Sequence, residues 1–197
     1  MTTSTTAATL PRTVVLVGLM GAGKSSIGRR LAARLGVAFK DADVEIESAA
    51  GMTIEEIFAK HGEAHFRLGE RRVIQRLVEE PEVHGPLILA TGGGAFMDPE
   101  TRGLIRAHAV SVWLRADLEV LLTRTARKNN RPLLKKGDPR EILSKLIEVR
   151  YPVYAEADIT VDSDDGLPEE TVHRVLVALE RHLGVTLGEG KVGKASS

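Results

Sequence analysis

The chain contains no cysteine, which excludes disulfides and thiolate chemistry and suits a reducing compartment. It has no excess charge of either sign, since 27 Lys and Arg stand against 27 Asp and Glu. No global field therefore recruits nucleic acid or an anionic membrane. A long hydrophobic run is also missing, because no segment approaches the ~20 apolar residues of a membrane span. The opening stretch MTTSTTAATLPRT has neither the basic nor the apolar region of a secretory signal. These absences lead to the expectation of a cytoplasmic protein with no nucleic-acid and no membrane partner. No long apolar surface stripe asks for a second copy, so a monomer is expected.

What is present is ordinary for a globular chain: 197 residues, 43% hydrophobic and 27% charged. Such a chain is most simply one domain that buries roughly 70% of its unfolded surface. The composition of residues 1–12 and 185–197 reads as disordered tails, leaving 13–184 as the folded unit.

Apolar runs alternate with helical patterns. TVVLVG (Thr13 to Gly18), VAFKD (Val37 to Asp41), LILA (Leu87 to Ala90), AVSVWLR (Ala109 to Arg115) and DITV (Asp158 to Val161) read as strands, by β-branched content and length. Between them lie helices with legible ends. One follows Lys24 and stops at Gly36; one opens with the capping box of Thr53 and Glu56 and is interrupted at Gly62. Asp98-Pro99 and Asp138-Pro139 start two more, the second running to about Arg150. Another begins near Asp117, and a last one spans about Pro168 to Leu183. Short apolar strands separated by helices call for an α/β fold, a five-stranded parallel sheet with helices on both faces.

GLMGAGKS, Gly18 to Ser25, fits the G-x-x-x-x-G-K-[ST] phosphate loop and sits between a strand and a helix. Glycines there let backbone N–H groups of Gly21, Ala22 and Gly23 approach phosphate oxygens, with the helix N-terminus adding positive potential. Lys24 can reach the terminal phosphates and the Ser25 hydroxyl can ligate magnesium. The expected ligand is a nucleoside triphosphate with Mg2+.

Other candidates admit two readings each. Asp41 and Asp43 lie just past a strand, at the carboxyl edge where open α/β sheets place ligands. One could face metal-bound water and the other a substrate, or the pair could simply cap the next helix. Arg67 has Glu63 and Glu70 at i−4 and i+3, which intrahelical ion pairing would explain. Arg150 near a helix C-terminus suits the helix dipole. The strand LILA ends in Thr91 and then Gly92, Gly93 and Gly94, where many P-loop proteins place a metal-binding carboxylate. Thr123 to Arg140 carries seven basic residues and one acidic residue. With no aromatic residue to stack on bases, a mobile lid over a triphosphate, about residues 124–138, suits it better than a nucleic-acid surface.

Taken in order, these motifs resemble shikimate kinase from about Val14 to Leu183. The phosphate loop, Asp41-x-Asp43, the GE…FR…E of Gly62 to Glu70, the glycine triplet, RPLL at Arg131 to Leu134 and RYPVY at Arg150 to Tyr154 all recur. The resemblance implies a three-layer P-loop kinase fold and transfer of the γ-phosphoryl group of ATP to the 3-hydroxyl of shikimate. It implies that Asp43 binds the acceptor hydroxyls and is the candidate base. Arg67 and Arg150 would grip the substrate carboxylate, with Gly92, Gly93 and Gly94 passing backbone close to the ring. Ser25 and, through water, Asp41 would hold Mg2+, with the Thr91 hydroxyl as a candidate helper. Lys24 and Arg131 would act on the transferring phosphate, Ser26 belongs to the cradle, and Arg124 and the Pro168 region would flank adenine.

The competing readings are a gluconate kinase-like enzyme and a catalytically inactive nucleotide-binding regulator. His61 and His65 have the spacing of paired metal ligands, but Gly62 breaks their helix and no third ligand is evident. Trp113, in a strand, is expected in the core. Gly69 stands inside a helix at a cost of up to ~1 kcal/mol, and nothing in the sequence accounts for it.

Overall fold

The computed structural model describes residues 9–127 and 137–188. Its strands are β1 (Thr13–Val17), β2 (Ala38–Asp41), β3 (Leu87–Ala90), β4 (Ala109–Arg115) and β5 (Ile159–Asp162). All pair in parallel in the order β2-β3-β1-β4-β5. The helices are α1 (Lys24–Leu35), α2 (Ala42–Ala50), α3 (Ile54–Glu79), α4 (Pro81–His84), α5 (Pro99–His108), α6 (Leu118–Ala126), α7 (Pro139–Tyr154) and α8 (Pro168–Leu183).

Every residue of β1 and β3 is buried, as the continuous apolar runs require of strands covered on both faces. Helices α1 and α8 pack together and onto the sheet, and α5 packs onto β4 and against α3. Helix α1 comes unusually near the strands: a Cβ on Gly28 would lie 2.6 Å from the Phe39 ring and 3.1 Å from Leu16. Trp113 is buried among Tyr151 and Tyr154, as expected of a core residue.

The helix starts read from sequence are present. Thr53 and Glu56 form the capping box, and Asp98 and Asp138 accept backbone N–H bonds ahead of a proline. Gly36 caps α1 in the left-handed conformation. At Gly62 the backbone leaves helical geometry with φ 78 and ψ 176, so α3 is two helical segments that meet at a kink.

Several boundaries differ from the sequence reading, most of them by one residue. Helix α7 does not end at Arg150 but continues through Pro152 to Tyr154. The proline removes one N–H bond, yet Tyr151 and Tyr154 pack beside Trp113 and hold the last turn in place. Strand β5 starts one residue later, because the Asp158 carboxylate instead accepts bonds from the Ser111 N–H and hydroxyl. The packed body is also wider than 13–184, since Leu10 and Leu187 are 4% and 5% exposed.

Among the described residues no helix is long and apolar enough to cross a membrane.

Candidate active site

The strand order reverses direction at β1, with β3 on one side and β4 on the other. The loops after β1, β2 and β3 therefore open on one crevice at the carboxyl edge, where such sheets bind ligands. A cavity of about 450 Å3 lies there. The phosphate loop, Asp41, Asp43, Thr91, Gly92, Gly93, Arg124 and Pro168 all line it.

The phosphate loop is shaped by left-handed glycines, Gly21 at φ 84 and Gly23 at φ 96, a region that residues with a Cβ rarely enter. Lys24 opens α1, and its Nζ donates to the carbonyls of Gly18 at 2.8 Å and Leu19 at 3.0 Å. The Ala22 N–H, expected to face phosphate, donates instead to the Leu19 carbonyl at 3.1 Å, so Ala22 builds the turn. Ser26 accepts a bond from Arg30 on the outer wall.

Asp41 caps the next helix, one of the two readings that the sequence left open, and also bonds Ser25. Its Oδ1 accepts the Asp43 N–H at 3.2 Å and caps α2. Its Oδ2 accepts the Ser25 hydroxyl at 2.7 Å. Two hard oxygens thus sit together beside the triphosphate cradle. The Thr91 hydroxyl, a candidate helper there, donates to the Leu16 carbonyl at 3.1 Å, and its proton is used to tie β3 to β1.

Asp43 lies in the first turn of α2 and stands close to Gly92. Burial, and then the neighbouring Asp41 carboxylate, push its pKa above the ordinary 3.8, against the pull of Lys24. A carboxylate so raised is a better-matched proton acceptor than a solvated one.

The glycine triplet has a reason visible only in three dimensions. None of Gly92, Gly93 and Gly94 has a positive φ, so conformation does not demand glycine. The side chains of the site close in on the space instead. A Cβ on Gly94 would lie 2.6 Å from Arg67 Nη2, and one on Gly92 3.0 Å from Asp43 Oδ1. The bare strand end makes room for the site's own side chains as well as for a ligand.

Arg67 pairs with Glu63 at 3.3 Å and Glu70 at 2.7 Å, so the ion pairing suggested by spacing is real. It also brings the guanidinium over Gly94. Arg150 donates to the Gly93 carbonyl at 2.9 Å, so the two arginines flank the same loop from α3 and α7.

Arg124 Nη1 donates to Ser163 Oγ at 3.0 Å and reaches the Gly21 carbonyl at 3.4 Å. Arg124 and Pro168 both line the cavity. Arg131 and most of the basic lid lie outside the described residues.

Three residues escaped sequence reasoning. Glu70 is 2% exposed, its pKa raised first by burial, and its Oε1 has no hydrogen-bond partner among the described residues. The sequence placed it in the GE…FR…E motif and as the i+3 partner of Arg67, with no role of its own. Tyr154, fully buried, donates its hydroxyl to the Gly93 carbonyl; burial raises its pKa, so it remains a donor. Ser163 donates to the Ala22 carbonyl at 2.8 Å, joining the end of β5 to the phosphate loop. Only its place just past a strand end could have marked it.

A parallel α/β sheet with a phosphate loop at its switch point defines the fold class of a P-loop kinase. A family model described as shikimate kinase matches residues 20–180. The chain is 62% identical over 172 residues to the shikimate kinase of Paramagnetospirillum magneticum, covering 87% of this chain and 86% of that one. It superimposes on shikimate kinase from Acinetobacter baumannii in complex with shikimate with a TM-score of 0.79, at 39% identity over 89% of this chain and 94% of that one. The chain belongs to the shikimate kinase family and is an ATP-dependent kinase. A gluconokinase from Sinorhizobium meliloti aligns over 88% of this chain and 94% of that one with a TM-score of 0.56. At 19% identity that likeness shows the fold alone.

Proposed function

We propose that this chain phosphorylates the 3-hydroxyl of shikimate through Asp43, Arg67, Arg150 and the phosphate loop. The observation that carries the residue roles is the convergence on one glycine loop. Arg67 comes over Gly94 and Arg150 onto the Gly93 carbonyl, while Asp43 lies close to Gly92 and lines one cavity with Lys24 and Ser25.

ATP lies along the phosphate loop, its phosphates held by Gly21 and Gly23 N–H groups, Lys24, Ser25 and Ser26. Arg124 and Pro168 flank the adenine. The donor set fits Mg2+: Ser25 Oγ and Asp41 Oδ2 are oxygens 2.7 Å apart, and Mg2+ takes one or two such protein ligands beside waters and phosphates. Bound there, the ion supplies charge neutralisation for the β- and γ-phosphates.

Shikimate presents its carboxylate to Arg67 and Arg150, whose guanidinium forks match it. Its ring lies along the backbone of Gly92, Gly93 and Gly94, and its 3-hydroxyl faces Asp43. As the new O–Pγ bond forms, the hydroxyl proton passes to Asp43 and the Pγ–O bond to ADP breaks. Lys24 and Arg131, the latter on the lid, neutralise charge on the moving phosphoryl group.

The test is ADP release from MgATP with shikimate, with gluconate and with neither. Strong dependence on shikimate alone supports the assignment. Equal or greater turnover with gluconate would move it to the sugar-acid reading, and nucleotide binding without turnover to the regulatory one.

A further inference from the structure

A second cavity, of about 300 Å3, lies between α2 and α3 and shares no lining residue with the first. Its floor is the buried Ile46, Ile57, Phe66 and Val73. Its rim carries His61 and His65, with ring centroids 4.7 Å apart, and Arg72. No acidic residue lines it.

Two observations point to an occupant. Arg67, Arg71 and Arg76 on the same helix each pair with a carboxylate. Arg72, exposed beside them, makes no hydrogen bond or ion pair among the described residues. Gly69, in the same wall, has no positive φ, and a Cβ there would meet nothing within 4 Å. Neither backbone geometry nor packing asks for the weakest helix former other than proline. What its bareness does is keep the cavity wall open.

We propose that this cavity binds a small planar aromatic carboxylate. The apolar floor and the imidazole pair take the ring, and the unpaired Arg72 guanidinium takes the carboxylate in a forked pair. The volume is at the lower end of small-molecule sites, roughly 300–1,000 Å3, and so suits one or two rings. A metal on the histidine pair is a poorer fit, since no cluster of three metal-ligating side chains occurs among the described residues.

The experiment is calorimetric titration of 2-naphthoate into the full chain with shikimate and ADP saturating, so that the arginine clamp and nucleotide cradle are filled. Saturable binding of one naphthoate per chain is expected. Arg72→Gln should weaken it at least tenfold. Because Arg72 is exposed, that variant tests the site without risk to folding. Gly69→Leu should abolish binding while melting no lower than the parent and turning over within about twofold of it. No saturable heat at millimolar naphthoate, binding only when shikimate is absent, or unchanged affinity in both variants would each overturn the proposal.

Discussion

Asp41 divides its two carboxylate oxygens between capping α2 and accepting the Ser25 hydroxyl. Capping and a place beside the triphosphate cradle, rivals in the sequence, are compatible in the fold. Asp43 next to it is held above its ordinary pKa by burial and by Asp41. A carboxyl whose folded pKa lies above the unfolded 3.8 binds its proton more tightly when folded. The stability it gives is complete below the unfolded pKa and is lost as pH rises through the folded one. Once ionised, Asp43 therefore works against folding. Asp43→Asn should lower turnover about 10²–10⁴-fold yet raise the melting temperature at a pH above the folded pKa. It should also remove an acid limb of kcat/KM for shikimate whose midpoint lies above 3.8. Near-parental turnover would reduce Asp43 to a positioning group. Gly94 gives a second test. An added Cβ would lie 2.6 Å from Arg67 Nη2, so the guanidinium, the far end of a long side chain, has to move. Gly94→Ala should raise KM for shikimate roughly 5–100-fold with KM for ATP unmoved; equal changes in both would point to a collapsed loop.

Helices α3 and α7 bring Arg67 and Arg150 to the same glycine loop, and each departs from ideal geometry to do so. Gly62 turns α3 with a φ that residues bearing a Cβ rarely adopt, so that the segment from Glu63 sets its own direction past the glycine loop. Helix α7 continues past Pro152, and its extra turn delivers Tyr154 to the Gly93 carbonyl, which already accepts from Arg150. Two donors from one helix fix the orientation of one loop peptide. Tyr154→Phe keeps the ring and removes the donor, a loss of about 0.5–1.5 kcal/mol. It should raise KM for shikimate roughly 3–10-fold with kcat and KM for ATP near parental values. A fall in melting temperature with no change in KM would make the hydroxyl purely structural.

Across the whole molecule, the reversal of strand order at β1 gathers residues distant in sequence. Ser25 and Asp41 belong to successive units of the fold, and Arg150 stands 57 positions from Gly93. The packed body closes with Leu187, 5% exposed, past the end of α8. Leu187→Ala should therefore cost about 2–4 kcal/mol and lower the melting temperature by roughly 5–15 °C. A tail lying outside the packed body would leave the melting temperature unmoved.

The sequence by itself determined what is local. The strands show as continuous apolar runs, because a strand covered on both faces needs no polar alternation. The helix starts show as Thr53, Asp98 and Asp138, because capping acts within three residues. The phosphate loop shows because its glycines, lysine and serine are contiguous. Tertiary structure decided everything that depends on separation in sequence. It set what stands over Gly92 and Gly94, the side-chain ends of Asp43 and Arg67. It set the burial of Glu70, the reach of Tyr154 and the tie from Ser163 to Ala22. It also carried α7 past its proline, where packing of two tyrosines beside Trp113 outweighs one lost backbone bond. Local propensity acts over a few residues, whereas packing acts between any two surfaces that the chain topology brings into contact.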